Sequence, residues 1–327
     1  MGAKKGIVLT IKVVIGALVL VMVGRHVARV WEELRSGGGV LHLETGWLVP
    51  SLLLYLMGLC GFGIFYGRIL KASSTPIGYY PALRAYLISH LGKYVPGKAL
   101  VVVMRVGLST PYGARPATSA FATLYETLVM MASGGLLAGM VFALSTSRPV
   151  LIPIGNGWEL GLPLMALGFA MGLPLLVLAQ AKVFPKFLAV IRTPFRGVGA
   201  EALPRFSHRL LVEGMLWSAG GWALLGASQV AVIRALSPGG VDPLIWPLVI
   251  GSVALATVAG FAVAIFPGGL VIREGVLMAA LGPTIGEQPA VVAALVLRLV
   301  WVLGEVVSAA LLSLARPPLP SPSLVKP

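Results

Sequence analysis

WLVPSLLLYLMGLCGFGIFYG, residues 47–67, runs its whole length without an Asp, Glu, Lys, Arg or His. A helix needs about 20 such residues to cross the hydrocarbon layer of a bilayer, so this stretch reads as a membrane span. Four more uncharged runs reach that length: Thr127–Ser147, Gly161–Ala181, Gly214–Ile233, and Pro243 to about Ile265. The composition agrees. Of 327 residues, 57% are apolar and 11% charged, whereas a soluble domain carries roughly 25% charged residues. Ile7–Gly24 adds a span with Lys12 near its start, where the long stem snorkels to the interface. It is long for a secretory leader and meets Arg25 and Arg29 without a clear small-residue cleavage site, so it reads as an uncleaved anchor. Val291–Ala315, with Arg298 and Glu305 inside it, is the last. Seven crossings result.

Two further apolar segments are too short to cross. Ala85 to Met104 is interrupted by His90, Lys93, Pro96, Gly97 and Lys98, and Gly275 to Gly286 lies between Glu274 and Glu287. Pro and Gly free backbone groups that must find partners inside protein or a wet cavity, so both segments read as re-entrant or broken half-helices. Loop charge tests that reading. Lys4 and Lys5 place the N-terminus in the cytoplasm, and two crossings bring Arg68, Lys71 and Arg84 to the same side. With the Lys93–Lys98 segment re-entrant, the six-cation loop from Lys182 to Arg209 is also cytoplasmic; as a full crossing it would be outside. Arg25, Arg29 and Arg35 fit less well, partly offset by Glu32, Glu33 and Glu44.

The expected fold is therefore an all-α polytopic membrane protein of the cytoplasmic (inner) membrane. It is one integral domain over residues 1–316, followed by a Pro-rich disordered tail, 317–327. The order of spans suggests duplicated, parallel halves, 1–147 and 205–316, joined by a helix over 161–181. A pair of broken segments in matching halves points to a transport site.

Charge and scarcity narrow the function. The formal charge of +14 comes from Lys and Arg between and at the ends of apolar runs, where they orient helices and meet anionic lipid rather than nucleic acid. The single cysteine, Cys60, allows no internal disulfide, and with one aspartate, Asp242, there is no Asp-rich motif for Mg²⁺-pyrophosphate. His26, His42, His90 and His208 are too far apart for paired zinc ligands. No metal or cofactor is expected.

Three constellations remain. Lys93, Pro96, Gly97, Lys98 and Arg105 surround a helix break whose free N–H groups, beside cations, suit a phosphate oxyanion. Pro267, Gly268 and Gly269 end a span just before Arg273 and Glu274. Glu126, Arg298 and Glu305 lie within spans, where a central charge costs about 2.5–3.5 kcal/mol on insertion scales. These groups serve either as structural ion pairs or as headgroup ligands. Lys93, Lys98 and Arg105 are expected on the cytoplasmic side. Glu126, Arg273, Glu274 and Arg298 are expected to converge on one hydrated cavity. Gly134, Gly135 and Gly139, with Gly220, Gly221 and Gly226, read as close helix contacts, and the Trp and Tyr residues as interface anchors.

Gly92-Lys93-Tyr94-Val95-Pro96-Gly97-Lys98, Tyr125-Glu126, and Pro267-Gly268-Gly269-Leu270-Val271-Ile272-Arg273-Glu274-Gly275 resemble three signatures of the lysylphosphatidylglycerol synthase transmembrane (flippase-like) family. That family includes the membrane half of the bacterial multiple peptide resistance factor. Thr127 follows Glu126 where relatives commonly have Arg, and Val271 stands where they often have Gly. The resemblance implies a lipid translocase that moves an anionic or amino-modified phospholipid, or a lipid-linked sugar, between leaflets. It also implies that the aminoacyl transfer of bifunctional relatives is absent, since no soluble acyltransferase domain follows the last span. The rival reading is an enzyme, or a non-catalytic partner of one such as a glycosyltransferase, in polyprenyl-linked glycan or lipid modification. Homo-oligomers fit either.

Overall fold

The computed structural model describes residues 43–73, 75, 77–95, 99–145, 150–155, 158–191, 206–237, 239–262 and 272–318, together with Val21, Arg25, Ala28 and Glu32. All but Val21 of the anchor expected over 7–24 and residues 319–327 of the tail lie outside them, as do Pro96, Gly97, Lys98, Pro267, Gly268 and Gly269. In chain order the helices are α1 (Leu48–Ala72), α2 (Tyr79–Ser89), α3 (Ala99–Ser109), α4 (Pro116–Ala143), α5 (Leu164–Leu178), α6 (Phe184–Ile191), α7 (His208–Leu236), α8 (Trp246–Ala262), α9 (Ile272–Ile285) and α10 (Glu287–Leu314). A two-stranded antiparallel hairpin, β1 (Val150–Gly155) and β2 (Trp158–Leu162), joins α4 to α5.

Among the described residues five helical stretches are long and apolar enough to cross a membrane, and six if the bent pair α5–α6 counts as one. The protein is thus a helical, multi-pass membrane protein. The 161–181 segment differs from expectation at its start. Gly161 and Leu162 belong to β2, Pro163 caps the helix, and α5 covers 15 residues before an 84° bend into α6.

α1 and α7 run antiparallel. Arg68, near the end of α1, holds Glu213 near the start of α7 at 2.5 and 3.1 Å, and Ser51 near the start of α1 meets Ser228 at 2.9 Å. Glu213 is therefore half of a helix clamp. α4 and α5 touch backbone to backbone through glycines. A Cβ on Gly135 would sit 2.7 Å from Gly172 N, and one on Gly168 would sit 2.5 Å from Gly139 N. Gly226 packs in the same way on Ile250 of α8, whereas Gly220 faces open space. Small residues let helices approach where lipid supplies no hydrophobic drive.

The first broken segment is a helical hairpin. α2 and α3 have 11 residues each, about 16 Å at 1.5 Å per residue, half of what a crossing needs. A short 3-10 turn, His90–Tyr94, leads to the tip. Gly92 is required there, because a Cβ would lie 2.8 Å from Val101 N and 3.0 Å from Leu100 C at the start of α3. Both outer ends are tied to the end of α10: Tyr80 Oη donates to Ala315 O at 2.9 Å, Arg84 Nε to Leu312 O at 2.6 Å, and Tyr112 Oη to Pro317 O at 3.2 Å. The hairpin enters and leaves by one face, which also carries Arg68, Lys71 and Arg115 and is called here the basic face. The tail begins packed, with Pro317 accepting from Tyr112.

The second broken segment approaches from the other side. α9 has 14 residues, about 21 Å, and turns through Gly286 at φ +92° directly into the start of α10. Since α10 ends on the basic face, α9 ends on the opposite one. α4 starts on the basic face and α10 finishes there, so the two run in opposite directions. A parallel duplication does not extend to the last helix of each half.

Candidate functional site

The hairpin tip and the first turn of α9 meet in the protein's centre, and each intramembrane carboxylate there has a cation. Arg105 Nη1 on α3 lies 3.0 Å from Glu126 Oε2 on α4, with both residues about 2% exposed or less. Arg105 is held on several sides: its Nε donates to Ser89 Oγ at 3.0 Å, and its guanidinium lies 4.2 Å from the Tyr86 ring centre and 5.0 Å from that of Tyr66. Tyr86 Oη donates to the other Glu126 oxygen at 3.2 Å. Such redundancy fits the expense of a lone buried charge.

Lys93 Nζ donates to Glu305 Oε1 on α10 at 2.5 Å, and the Tyr55 hydroxyl on α1 donates to the same oxygen. His90 Nε2 is 3.9 Å from it. Glu274 Oε1 lies 2.6 Å from Arg298 Nη1. Arg273 is treated differently. Among the described residues it has no carboxylate within ion-pair distance, and its guanidinium lies 4.8 Å from the Trp301 ring centre. Trp301 in turn stacks on Tyr55 at 4.4 Å and 8°, and donates from Nε1 to Ser228 Oγ at 3.0 Å. An aromatic face attracts a cation without neutralising it.

A cavity of about 460 Å³ opens against these groups, its polar wall made by Tyr86, His90, Lys93, Arg105, Glu126 and Arg273. Ligand pockets commonly span about 300–1,000 Å³. The remaining wall is largely apolar and includes Leu124 and Phe261, which are 39% and 40% exposed. The cavity thus sets a charged wall against an apolar one.

Four expected site residues, Lys93, Arg105, Glu126 and Arg273, line it together. Glu274 and Arg298 pair with each other outside the lining, so the four-charge convergence is corrected: Glu126 and Arg273 face the cavity, and Lys93 and Arg105 complete it. Lys93 and Arg105 are not surface groups: Lys93 sits at the inner end of the hairpin, about 16 Å from the ends anchored on the basic face, and Arg105 is about 6 Å in from the outer end of α3 and buried.

Sequence reasoning left Tyr55, Tyr86, His90 and Trp301 out of the site, and weighed Glu305 only as a structural ion pair or headgroup ligand without placing it among the site residues. Glu305 carried a signal as an intramembrane charge, and His90 lies one helical turn before Lys93. The aromatic residues were read as interface anchors, yet Tyr55 and Tyr86 are 1% and Trp301 3% exposed. A buried Tyr or Trp needs a polar partner, and here the partners are Glu305, Glu126 and Ser228.

Residues 7–308 match the sequence model of the lysylphosphatidylglycerol synthase TM region. The chain belongs to that family. No curated protein matches the chain closely. The lysylphosphatidylglycerol synthase TM region is a flippase-like group of membrane proteins, and the match covers the hairpin, the cavity and both broken segments. Among the described residues no group of three or more His, Cys, Asp or Glu is placed to hold a metal ion.

Proposed function

We propose that the protein moves a lipid with an anionic, phosphate-bearing headgroup between leaflets of the cytoplasmic membrane, the headgroup passing through this cavity. The observation that carries the reading is Arg273, a cavity-lining cation balanced by an aromatic ring rather than a carboxylate. Among the described residues the cluster holds four cations, Lys93, Arg105, Arg273 and Arg298, against three carboxylates, Glu126, Glu274 and Glu305. The apolar wall suits lipid tails, and Glu126 would meet an amine where the headgroup carries one. Pro96, Gly97, Lys98, Pro267, Gly268 and Gly269 are proposed to offer backbone donors or charge at the two breaks. Under this reading the hairpin face is cytoplasmic, as loop charge predicts.

A phospholipid and a polyprenyl-linked sugar present the same phosphate, and reconstitution separates them. Proteoliposomes holding the full chain would receive tail-labelled fluorescent phosphatidylglycerol, lysylphosphatidylglycerol or a polyprenyl phosphate, and an impermeant quencher would read the leaflet of each. At least one should equilibrate faster than in protein-free vesicles. Arg273→Ala should slow it about tenfold to a hundredfold, since a hydrogen bond to a charged group contributes about 1.5–3 kcal/mol. Protein-free rates for all three probes would overturn the proposal.

A further inference from the structure

We propose that Glu305 is a proton-binding site coupled to anion binding through Lys93, so that the protein takes up a proton when it binds an anionic headgroup; this rests on the anion-site reading above. Lys93 faces two ways. It lines the cavity, its side chain is 22% exposed, and its Nζ lies 2.5 Å from Glu305 Oε1, whose side chain is fully buried. Arg105 cannot play this part, because Ser89, Tyr66, Tyr86 and Glu126 hold its guanidinium in place. A lysine ammonium is a point charge on a flexible stem and can exchange one oxyanion for another.

When Lys93 turns to a phosphate in the cavity, Glu305 loses its cation. What remains around it is poor compensation. Tyr55 of α1 donates to Oε1, while Oε2 is buried without a hydrogen-bond partner among the described residues. His90 stands 3.9 Å away, beside the cations Lys93, Arg105 and Arg273. Tyr94 of the same turn is a second hydroxyl hydrogen-bonded to Glu305 and is near Arg273 and Arg298; like Tyr55 it is neutral and does not replace the lost cation. Arg298, on α10 itself, is engaged by Glu274 of α9, and Arg273 of α9 by Trp301. On α2, Arg84 is bound to Leu312 O at the basic face; α7 offers Ser228 to Trp301, and its ionisable groups sit toward its two ends, with Glu213 on Arg68 and Arg234 on Trp47. A carboxylate left buried and unpaired is strongly disfavoured, so Glu305 takes a proton from solvent, on Oε2, forming the neutral acid. The anion and the proton then occupy the protein together, and the pair carries no net charge.

Linkage fixes the sign. If the anion favours the protonated form, protons favour anion binding equally. Affinity should rise as pH falls, by up to about tenfold per pH unit for one coupled proton.

The test uses the full chain in phosphatidylcholine nanodiscs, titrated calorimetrically with short-chain phosphatidylglycerol in buffers of different ionisation enthalpy. Wild type should take up a fraction of a proton, approaching one, per lipid bound, and bind more tightly at pH 6 than at pH 8. Glu305→Gln, a permanent mimic of the neutral acid, should bind at pH 8 at least as tightly as wild type does at pH 6, with no proton uptake. Lys93→Gln should bind weakly and also without uptake. A misfolded variant loses affinity, so the gain expected of Glu305→Gln has no structural imitation. Binding by wild type without proton uptake would overturn the coupling, as would uptake that survives in Lys93→Gln. That last measurement decides the matter if Glu305→Gln does not fold. No phosphatidylglycerol binding at any pH would remove the anion site, and the coupling with it.

Discussion

The two broken segments reach the same cavity by opposite constructions. The α2–α3 hairpin dips in from the basic face and brings two cations, each met by a carboxylate on a long helix: Glu126 of α4 for Arg105 and Glu305 of α10 for Lys93. α9 comes from the other face with adjacent charges. Glu274 is satisfied by Arg298, and Arg273 rests on Trp301. The hairpin therefore looks after its own electrostatics when the cavity is empty, whereas α9 presents a cation whose charge is left over. A site for an anion needs both kinds. Paired charges keep the fold closed without ligand, and the unpaired one gives the ligand something to gain.

The sharpest way to break this comparison is topological, because the outcome is all or none. Thr110→Cys and Ala315→Cys, in a Cys60→Ala background, should react with an impermeant thiol reagent from one side of the membrane. Leu244→Cys, 85% exposed between α7 and α8, should react from the other. Labelling of residues 110 and 315 from different sides would mean that the hairpin crosses.

Next in size is the Arg105–Glu126 pair. Glu126→Ala should destabilise the protein by about 3–5 kcal/mol, the usual consequence of stranding a buried charge. The double variant Arg105→Met, Glu126→Leu should recover most of that while leaving transport impaired. Melting curves in detergent together with vesicle flux would check both parts, and full recovery of flux would make the pair purely structural. Removing Arg273 should show the reverse pattern, with flux lost and the melting temperature nearly kept.

A smaller effect sharpens the account of the hairpin tip. Gly92→Ala would push a methyl into the backbone at Leu100 and Val101, and overpacking of this kind typically costs about 1–3 kcal/mol. The smallest should be Tyr80→Phe, which removes one hydrogen bond at the exposed end of the hairpin, about 1 kcal/mol or less.

Much of this architecture is legible in residue order. Long apolar runs gave the five helices long enough to span, and the short apolar segments gave the half-length helices α2, α3 and α9, while the Pro-Gly residues read as breaks lie outside the described residues. The motif around Gly92 has a physical cause in the contact of the turn with α3. Pairing was not legible. Lys93 and Glu305 are 212 positions apart, and a helix apolar on every side, such as α5, shows no face from which to infer a neighbour. The buried aromatics were misread because Tyr and Trp suit a membrane interface as well as a buried carboxylate, and composition cannot separate the two. The β1–β2 hairpin was not foreseen, and its last two residues, Gly161 and Leu162, were read as the start of a span.

The spacing of the two hairpin ion pairs has a consequence for how the chain is made. Arg105 meets its counter-ion 21 residues later, but Lys93 waits for one 212 residues downstream, and the hairpin's outer ends wait for carbonyls of residues 312, 315 and 317. At a synthesis rate of about 5–20 residues per second, that delay is roughly 10–40 s. Throughout it the leg carrying Arg105 can close on α4, while the tip holds a lysine with no carboxylate to receive it. α10, made about 200 residues after the α2–α3 hairpin, is the helix that locks that hairpin in place.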